Sequence, residues 1–197
     1  ILDYIGASKV NLIVPVNSCF DTKIDESVIS TNSLHGKVIK FLYDNNLVSQ
    51  TVLDKKIKSS LKEQGISSVN IGNDVKKGGK SVGNYNRYPI GSTAFVDIGN
   101  VRYHFIALSI IEKNKNAKTS DQDYLVVLNA IVDNCFKNSN GNPIYLPLVG
   151  SGLSKLNYNH QQQLEFMVKY FMLRKTKLIS DVEIVIRKED GDTISIL

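Results

Sequence analysis

Residues 10–16 (VNLIVPV) are the segment that most limits how this chain can fold. The run is rich in β-branched residues and has no continuous polar face, which is typical of a strand covered on both sides. Residues 143–149 (PIYLPLV) form a second segment of this kind. Further strands are expected at residues 92–97, 101–108, 182–187 and 193–197. In segments between the strands, apolar residues recur with the period of a helix. This alternation predicts a three-layer α/β/α fold with a central mixed sheet.

The helical segments carry recognisable ends. Asn32 or Ser33 is expected to cap a helix over residues 35–43, and a second helix is expected over residues 51–64, with its lysines on a solvated face. A third helix starts near residues 119–121 with Leu125 on its apolar stripe, and a fourth spans residues 159–173. Residues 65–91 are rich in glycine and asparagine, so we expect a long irregular loop there.

Composition excludes several classes of protein. Of the 197 residues, 42% are hydrophobic and 22% are charged, which fits one folded domain over residues 1–197 rather than a disordered chain. Two isolated cysteines cannot build a disulfide scaffold, and no histidine or cysteine has metal-ligand spacing. No apolar run is long enough to span a bilayer. Because the chain begins at Ile1, we expect a cytoplasmic piece of a longer protein, linked to a membrane only through a segment outside this sequence.

The formal net charge of +5 has two interpretations. Nucleic-acid binding is disfavoured, because the lysines are spread over helices and loops without clustered aromatic side chains on which bases could stack. We therefore predict no nucleic-acid partner. A small anionic ligand, or an anionic membrane surface near the amino terminus, explains the charge better.

Two segments are candidate anion sites. Residues 150–155 (GSGLSK) follow a buried strand and offer glycine-flanked N–H groups, hydroxyls and a cation, which suits a phosphate, although a plain tight turn is the alternative. Residues 31–36 (TNSLHG) precede the first helix, whose free N–H groups can bind an anion. His35 there would contact a ligand or simply lie at the helix start. A Cys19–His35 nucleophilic pair is disfavoured because no third residue would orient it.

Three longer segments carry a family resemblance. Residues 12–18 (LIVPVNS), 88–94 (YPIGSTA) and 142–153 (NPIYLPLVGSGL) together resemble the macro domain, an α/β/α module that binds ADP-ribose. The resemblance implies that Asn17 contacts the distal ribose and that the backbone of residues 150–153 holds the diphosphate. Lys155 and Arg87 would be additional phosphate contacts.

A narrower resemblance lies in residues 14–22 (VPVNSCFDT) and 33–36 (SLHG), which are similar to the macro domain of Thoeris antiphage effectors. That family implies a sensor for an ADP-ribose-type signal made by a TIR-domain enzyme, in the membrane-linked version a histidine conjugate of ADP-ribose. Phe20 and Asp21 would then meet a cationic adduct on the ribose. Activation by homo-oligomerisation, or through a preceding membrane segment, is also implied.

Two departures from ordinary macro domains qualify this resemblance. Residues 33–36 replace the glycine-rich run that some hydrolases of the family use, which disfavours the alternative of an ADP-ribosyl hydrolase and leaves Asp21 as its best candidate carboxylate. Of the usual adenine-binding element only Ile1 is present; Asp3 would either substitute for the missing carboxylate or be an ordinary surface residue. No catalytic residue, metal or cofactor is predicted. The predicted ligand contacts are Ile1, Asn17, Ser18, Cys19, Phe20, Asp21, Ser33, Leu34, His35, Gly36, Val149, Gly150, Ser151, Gly152, Leu153, Ser154 and Lys155.

Overall fold

The computed structural model describes residues 8–26, 28–72, 82–111, 117–150, 158–175, 179–191 and 194. Strands and helices alternate along them, as the sequence predicts. In chain order the elements are β1 (Val10–Asn17), α1 (Leu34–Asp44), α2 (Gln50–Glu63), β2 (Val69–Asn70), β3 (Asn86–Arg87), β4 (Thr93–Ile98), β5 (Val101–Ile111), β6 (Ala117–Lys118), α3 (Asp121–Ala130), a π-helical turn (Ile131–Cys135), β7 (Ile144–Pro147), α4 (His160–Leu173), β8 (Val182–Val185) and a short 3₁₀ helix (Lys188–Asp190).

The described strands build a mixed sheet in the order β4-β5-β1-β7-β8, with β6 added beside β5. β1 is central and runs parallel to β5 and β7, β7 runs parallel to β8, and β4 is antiparallel to β5. Because β1 and β7 are parallel neighbours, their carboxyl ends lie at the same edge of the sheet. Of the predicted ligand contacts, Asn17 ends β1, and Val149 and Gly150 follow β7.

Helices cover both faces of the sheet, which explains the all-apolar strands. Alternate residues of β1 divide between two hydrophobic clusters: Leu12, Val14 and Val16 face α1 and α2, whereas Ile13 belongs to the cluster under α3 and α4. Because the strand is buried on both faces, its sequence does not alternate between apolar and polar residues. The three-layer α/β/α arrangement predicted from the sequence is confirmed.

The helix ends follow local sequence signals. Ser33, Ser49, Ser120 and Asn159 each accept a hydrogen bond from a first-turn N–H group, so the side chains cap the four α-helices. At the other end of α2, the N–H of Ile66 donates to the carbonyl of Leu61 at 3.0 Å, in the pattern of a Schellman motif.

Two predictions about the elements were wrong. Leu125 is 42% exposed rather than part of the buried stripe of α3, whose inner face consists of Tyr124, Val127 and Leu128. The loop over residues 65–91 contains a small antiparallel ribbon, because β2 pairs with β3. Most of the strand expected at residues 193–197 lies outside the described residues. Among the helices that are described, none is both long and apolar enough to cross a lipid bilayer.

Candidate ligand-binding site

The candidate site is the sheet edge at which β1 and β7 end. Asn17 is the last residue of β1, and Val149 and Gly150 follow β7. Ligands of open α/β sheets bind beyond such carboxyl ends. The amino terminus of α1 is reached by the chain that leaves β1, and α1 packs against β1.

Asn17 organises the turn that follows β1. Its side-chain Oδ1 accepts a hydrogen bond from the N–H of Cys19 at 3.0 Å, and its carbonyl accepts one from the N–H of Phe20 at 2.9 Å. This arrangement is an Asx-type turn. The Nδ2 group of Asn17 forms no hydrogen bond with a described residue.

Ser18 and Cys19 serve the turn itself. The N–H of Ser18 donates to the carbonyl of Ser109 at 2.8 Å, and its carbonyl accepts from the N–H of Tyr88 at 2.8 Å. Both residues are buried, as is the thiol of Cys19, which is not part of a disulfide. Their main-chain groups therefore hold neighbouring strands and loops in place, and their predicted role as ligand contacts stays a prediction.

Phe20 and Asp21 do not form the open aromatic and acidic surface expected from the sequence. Phe20 has φ +50°, a left-handed conformation that is rare for aromatic residues, and its side chain is only 2% exposed. The ring meets Tyr88 edge to face, with the ring centroids 5.5 Å apart. Asp21 is 1% exposed, and its Oδ1 accepts from the N–H of Asn84 at 2.6 Å. The positive φ turns the aromatic ring into the core.

Asn84 is a site residue that sequence reasoning missed. Besides its bond to Asp21, its Nδ2 donates to the carbonyl of Phe20 at 2.9 Å and to Asp54 Oδ1 at 3.4 Å. The same Asp54 oxygen accepts from the Thr22 hydroxyl at 2.7 Å. These bonds tie residues 20–22, α2 and the segment around Asn84 together. A single sequence gives no sign of the role of Asn84, because its partners lie far from it along the chain.

The amino terminus of α1 is built by local contacts. Ser33 Oγ accepts from the N–H of Gly36 at 3.0 Å and donates to the carbonyl of Ser30 at 2.7 Å. A Cβ on Gly36 would stand 2.2 Å from that same carbonyl oxygen, so packing requires a glycine there. Leu34 is half-buried and His35 is buried, which places both in the packed first turn. Of the two cap candidates in the sequence, Asn32 and Ser33, the N-cap is thus Ser33.

The turn after β7 starts as the sequence predicted. Gly150 has φ +87°, which glycine adopts without strain, and the Val149 side chain is fully buried. Only the backbone of Val149 is therefore offered to a ligand. Ser151, Gly152, Leu153, Ser154 and Lys155 lie outside the described residues, as do Ile1 and Asp3. Their roles stay predictions.

The motif at residues 88–94 also has a physical basis. The N–H of Ser92 donates to the carbonyl of Pro89 at 3.1 Å, and Gly91 has φ +83°. These values describe a type II turn, whose third position requires a positive φ and so favours glycine. The turn leads the chain into β4, while Tyr88 stays bound to the carbonyl of Ser18. Arg87, a predicted phosphate contact, lies on β3 beside Val69.

Buried polar groups also occur at the other end of β1. Asn11 Nδ2 donates to the carbonyls of Ser139 at 3.0 Å and Asn142 at 3.1 Å, and Asn11 Oδ1 lies 2.9 Å from His104 Nε2. Burial, together with a smaller effect of the nearby Arg102, lowers the pKa of His104 to about 3. His104 is thus neutral at physiological pH. Across the described parts of the chain, no cluster of side chains suits a metal ion.

Comparison with known proteins assigns the family. The sequence profile of the macro domain of Thoeris protein ThsA matches residues 3–187. The chain belongs to the ThsA macro-domain family. It is also 25% identical, over 188 residues, to the Thoeris protein ThsA of Bacillus amyloliquefaciens (strain Y2). That match takes in 93% of this chain and 59% of the relative, so the macro domain spans less than two thirds of the relative's length.

Proposed function

We propose that this macro domain is the sensor of a Thoeris antiphage effector and binds an ADP-ribose-derived nucleotide signal. The observation that carries the proposal is the meeting of three features at one sheet edge: the Asn17 turn, the Gly150 turn and the packing of α1 against β1. Backbone N–H groups at such positions bind phosphate oxygens without a compensating charge. Family membership supports the same assignment.

In this proposal the Asn17 Nδ2 group donates to a hydroxyl of the distal ribose. The backbone of residues 150–154 and the first turn of α1 hold the diphosphate between them. The signal is the histidine conjugate of ADP-ribose, made by a TIR-domain enzyme, and binding favours one conformation of the site. A ligand shifts such an equilibrium only as far as its affinities for the two conformations differ. Assembly of subunits, or a membrane segment outside this sequence, would carry the response.

Isothermal titration with ADP-ribose and with its histidine conjugate tests this proposal. We expect saturable binding of the conjugate, with weaker binding of ADP-ribose. In Gly152→Val, a side chain would block the approach of the backbone to the diphosphate, so most of the affinity should be lost. Unchanged affinity in that variant, with circular dichroism like that of the wild type, would remove the phosphate-loop assignment.

Hydrolysis of ADP-ribosylated macromolecules is less well supported. A hydrolase needs a general base that reaches an attacking water. Asp21 was the best candidate, but its carboxylate is buried and accepts the N–H of Asn84. This geometry supports binding over turnover. Release of ADP-ribose from a modified protein, abolished by Asp21→Ala, would reverse that preference.

A further inference from the structure

Exposed apolar side chains are concentrated at the end of α4. Among the large apolar side chains that the structure describes, four are more than half exposed: Leu173 (84%), Val69 (70%), Met172 (66%) and Ile179 (58%). Three of these four lie within residues 172–179. Single apolar residues scattered over a surface are ordinary, whereas a cluster of them marks a surface that contacts an apolar partner.

The same segment is strongly basic. Residues 169–181 contain four Lys or Arg residues and one acidic residue, a net charge of +3 against +5 for the whole chain. Lys169 precedes Met172 and Leu173 by three and four residues, so these exposed side chains share one outward face of α4. Lys175 is exposed just beyond the helix. We call Lys169, Met172, Leu173, Lys175 and Ile179 the α4-end patch.

The lysines of the patch are available to a partner. The Lys169 ammonium lies 4.0 Å from Glu165 Oε2, and both side chains are exposed, so this ion pair is weak. Arg174, by contrast, is used inside the protein: its Nη2 lies 3.4 Å from Asp133 Oδ1 and its Nη1 donates to Asn129 at 3.4 Å. Arg174 thus fixes the end of α4 against the helix in front of it, and the lysines face the solvent.

The patch lies at the edge of the sheet opposite the candidate ligand site. α4 leads into β8, which runs parallel to β7, so the connection between them reaches the amino ends of these strands. There the N–H of Ile144 donates to the carbonyl of Asp181 at 2.8 Å. β1 begins at the same edge, because Asn11 pairs with Ile144, and the exposed Lys9 precedes it. A partner on the patch therefore leaves the ends of β1 and β7 open.

The chemistry of the patch fits an anionic lipid surface better than another protein. Segments that lie in the headgroup region of a membrane combine apolar side chains with lysines, whose stems cover apolar surface while their ammonium groups reach the phosphates. Each such cation also gains from the negative surface potential. Protein interfaces contain few lysines. A two-fold contact with a second copy would bring the same cations face to face, which is repulsive.

We propose that the α4-end patch docks on an anionic lipid surface. Met172, Leu173 and Ile179 lie among the headgroups, and Lys169 and Lys175 lie beside the lipid phosphates. The proposal goes beyond nucleotide binding and does not depend on it. In this orientation the ligand site faces away from the lipid, so both surfaces can be occupied at the same time.

The test is co-sedimentation with vesicles of phosphatidylcholine alone and of equal parts phosphatidylcholine and phosphatidylglycerol. Each variant has a control that changes exposed side chains of the same kind elsewhere. The proteins are wild type, Met172→Gln/Leu173→Gln with its control Leu47→Gln/Val52→Gln, and Lys175→Gln with its control Lys62→Gln. All substituted side chains are exposed, so circular dichroism like that of the wild type is expected throughout.

We expect wild type to bind the mixed vesicles about tenfold more strongly than the neutral ones, and less strongly as salt is added. Met172→Gln/Leu173→Gln should weaken binding about tenfold or more, and Lys175→Gln about three- to fivefold on the mixed vesicles only. Both controls should stay within about twofold of wild type.

Two results would overturn the lipid assignment. One is equal binding of wild type to both kinds of vesicle, or equal losses in a variant and its control. The other is a wild-type dimer that Met172→Gln/Leu173→Gln dissociates in sedimentation velocity without vesicles, which would assign the patch to a second copy. Nucleotide affinity is measured separately on the same proteins, so failure of the proposed function would not affect this outcome.

Discussion

Two asparagines lie near opposite ends of the same strand and differ in how their side chains are used. Asn11, near the start of β1, is 1% exposed and uses its whole side chain internally, since its amide donates to carbonyls and its oxygen meets His104. Asn17, at the end of the strand, is 6% exposed, and among the described residues its side chain bonds only through its oxygen, to the N–H of Cys19. The two residues have the same chemistry and similar burial.

Within the part of the chain that the structure describes, these asparagines differ by one side-chain donor, which has partners in Asn11 and none in Asn17. A buried amide that satisfies all its partners inside the protein contributes stability and has nothing left for a ligand. An amide that fixes a turn through its oxygen keeps its NH₂ group oriented for a partner from solution. Hydrogen-bond accounting therefore separates the structural from the functional asparagine, which burial alone does not.

The largest effect expected is from Asn11→Ala. The change removes the donor to the carbonyls of Ser139 and Asn142 and leaves His104 Nε2 without its acceptor. Each buried polar group left unsatisfied costs about 1–3 kcal/mol, so the free energy of unfolding should fall by about 3 kcal/mol or more. Urea denaturation measures this as a lower midpoint at constant slope.

The matched control is Asn17→Ala, on the same strand. It should lower the free energy of unfolding by only about 1 kcal/mol, because one turn hydrogen bond is lost. Equal losses in the two variants would contradict the division between structural and functional asparagines.

Gly36→Ala should produce the next largest effect. Alanine favours helices over glycine by about 1 kcal/mol. However, the new Cβ would stand 2.2 Å from the Ser30 carbonyl oxygen, and such overpacking costs about 1–3 kcal/mol or more. We expect a net loss of about 2 kcal/mol, measured by thermal or urea unfolding. The exposed neighbour Lys37 gives the control: Lys37→Ala should change stability by less than about 0.5 kcal/mol. A stabilised Gly36→Ala would show that α1 can move away from Ser30.

The next effect in size is expected from acidification, which should weaken the hydrogen bonds around Asn11 and His104. The pKa of His104 lies at about 3 in the folded protein and near 6.5 in the unfolded chain, so the unfolded chain takes up a proton that the folded protein excludes. The stabilisation is therefore complete above pH 6.5 and is lost as the pH falls toward 3. Between pH 7 and pH 5 the free energy of unfolding should drop by about 2 kcal/mol.

Urea unfolding across this pH range measures the slope, and His104→Gln provides the control. Glutamine can still donate to Asn11 Oδ1 but does not titrate, so the variant should show a clearly flatter slope. The Asp97 carboxyl, whose pKa is lowered chiefly by its hydrogen bonds with Arg102, affects stability only at lower pH. Parallel slopes in wild type and His104→Gln would mean that other groups carry the pH dependence.

Much of the fold was predictable because its signals are local. The apolar strands, including β4 and β5, follow from residues that are close in the chain, as do the helix starts near Ser33, Ser120 and Asn159. Leu125 was misplaced because it lies one position away from the buried face of α3. The ribbon of β2 and β3 was missed because strands of two residues leave no periodic pattern.

The candidate site was less predictable because tertiary contacts decide its side chains. Asn17 and Gly150 could be inferred from the end of a buried strand. By contrast, Phe20 next to Asp21 has the appearance of a ligand-binding pair, and only the positive φ of Phe20 and the distant Asn84 reveal that both side chains turn inward.

The smallest effect is expected from Asn17→Asp. This variant tests most directly whether the side-chain NH₂ group of Asn17 binds a ligand. Aspartate keeps the oxygen that holds the Cys19 N–H, so the turn and the free energy of unfolding should change by less than about 0.5 kcal/mol. It removes only the NH₂ donor. Loss of one hydrogen bond, worth about 1 kcal/mol, should weaken ADP-ribose binding about fivefold. Titration at 0.5 M salt limits repulsion between the new carboxylate and the diphosphate. Lower stability with unchanged affinity would return Asn17 to the same structural class as Asn11.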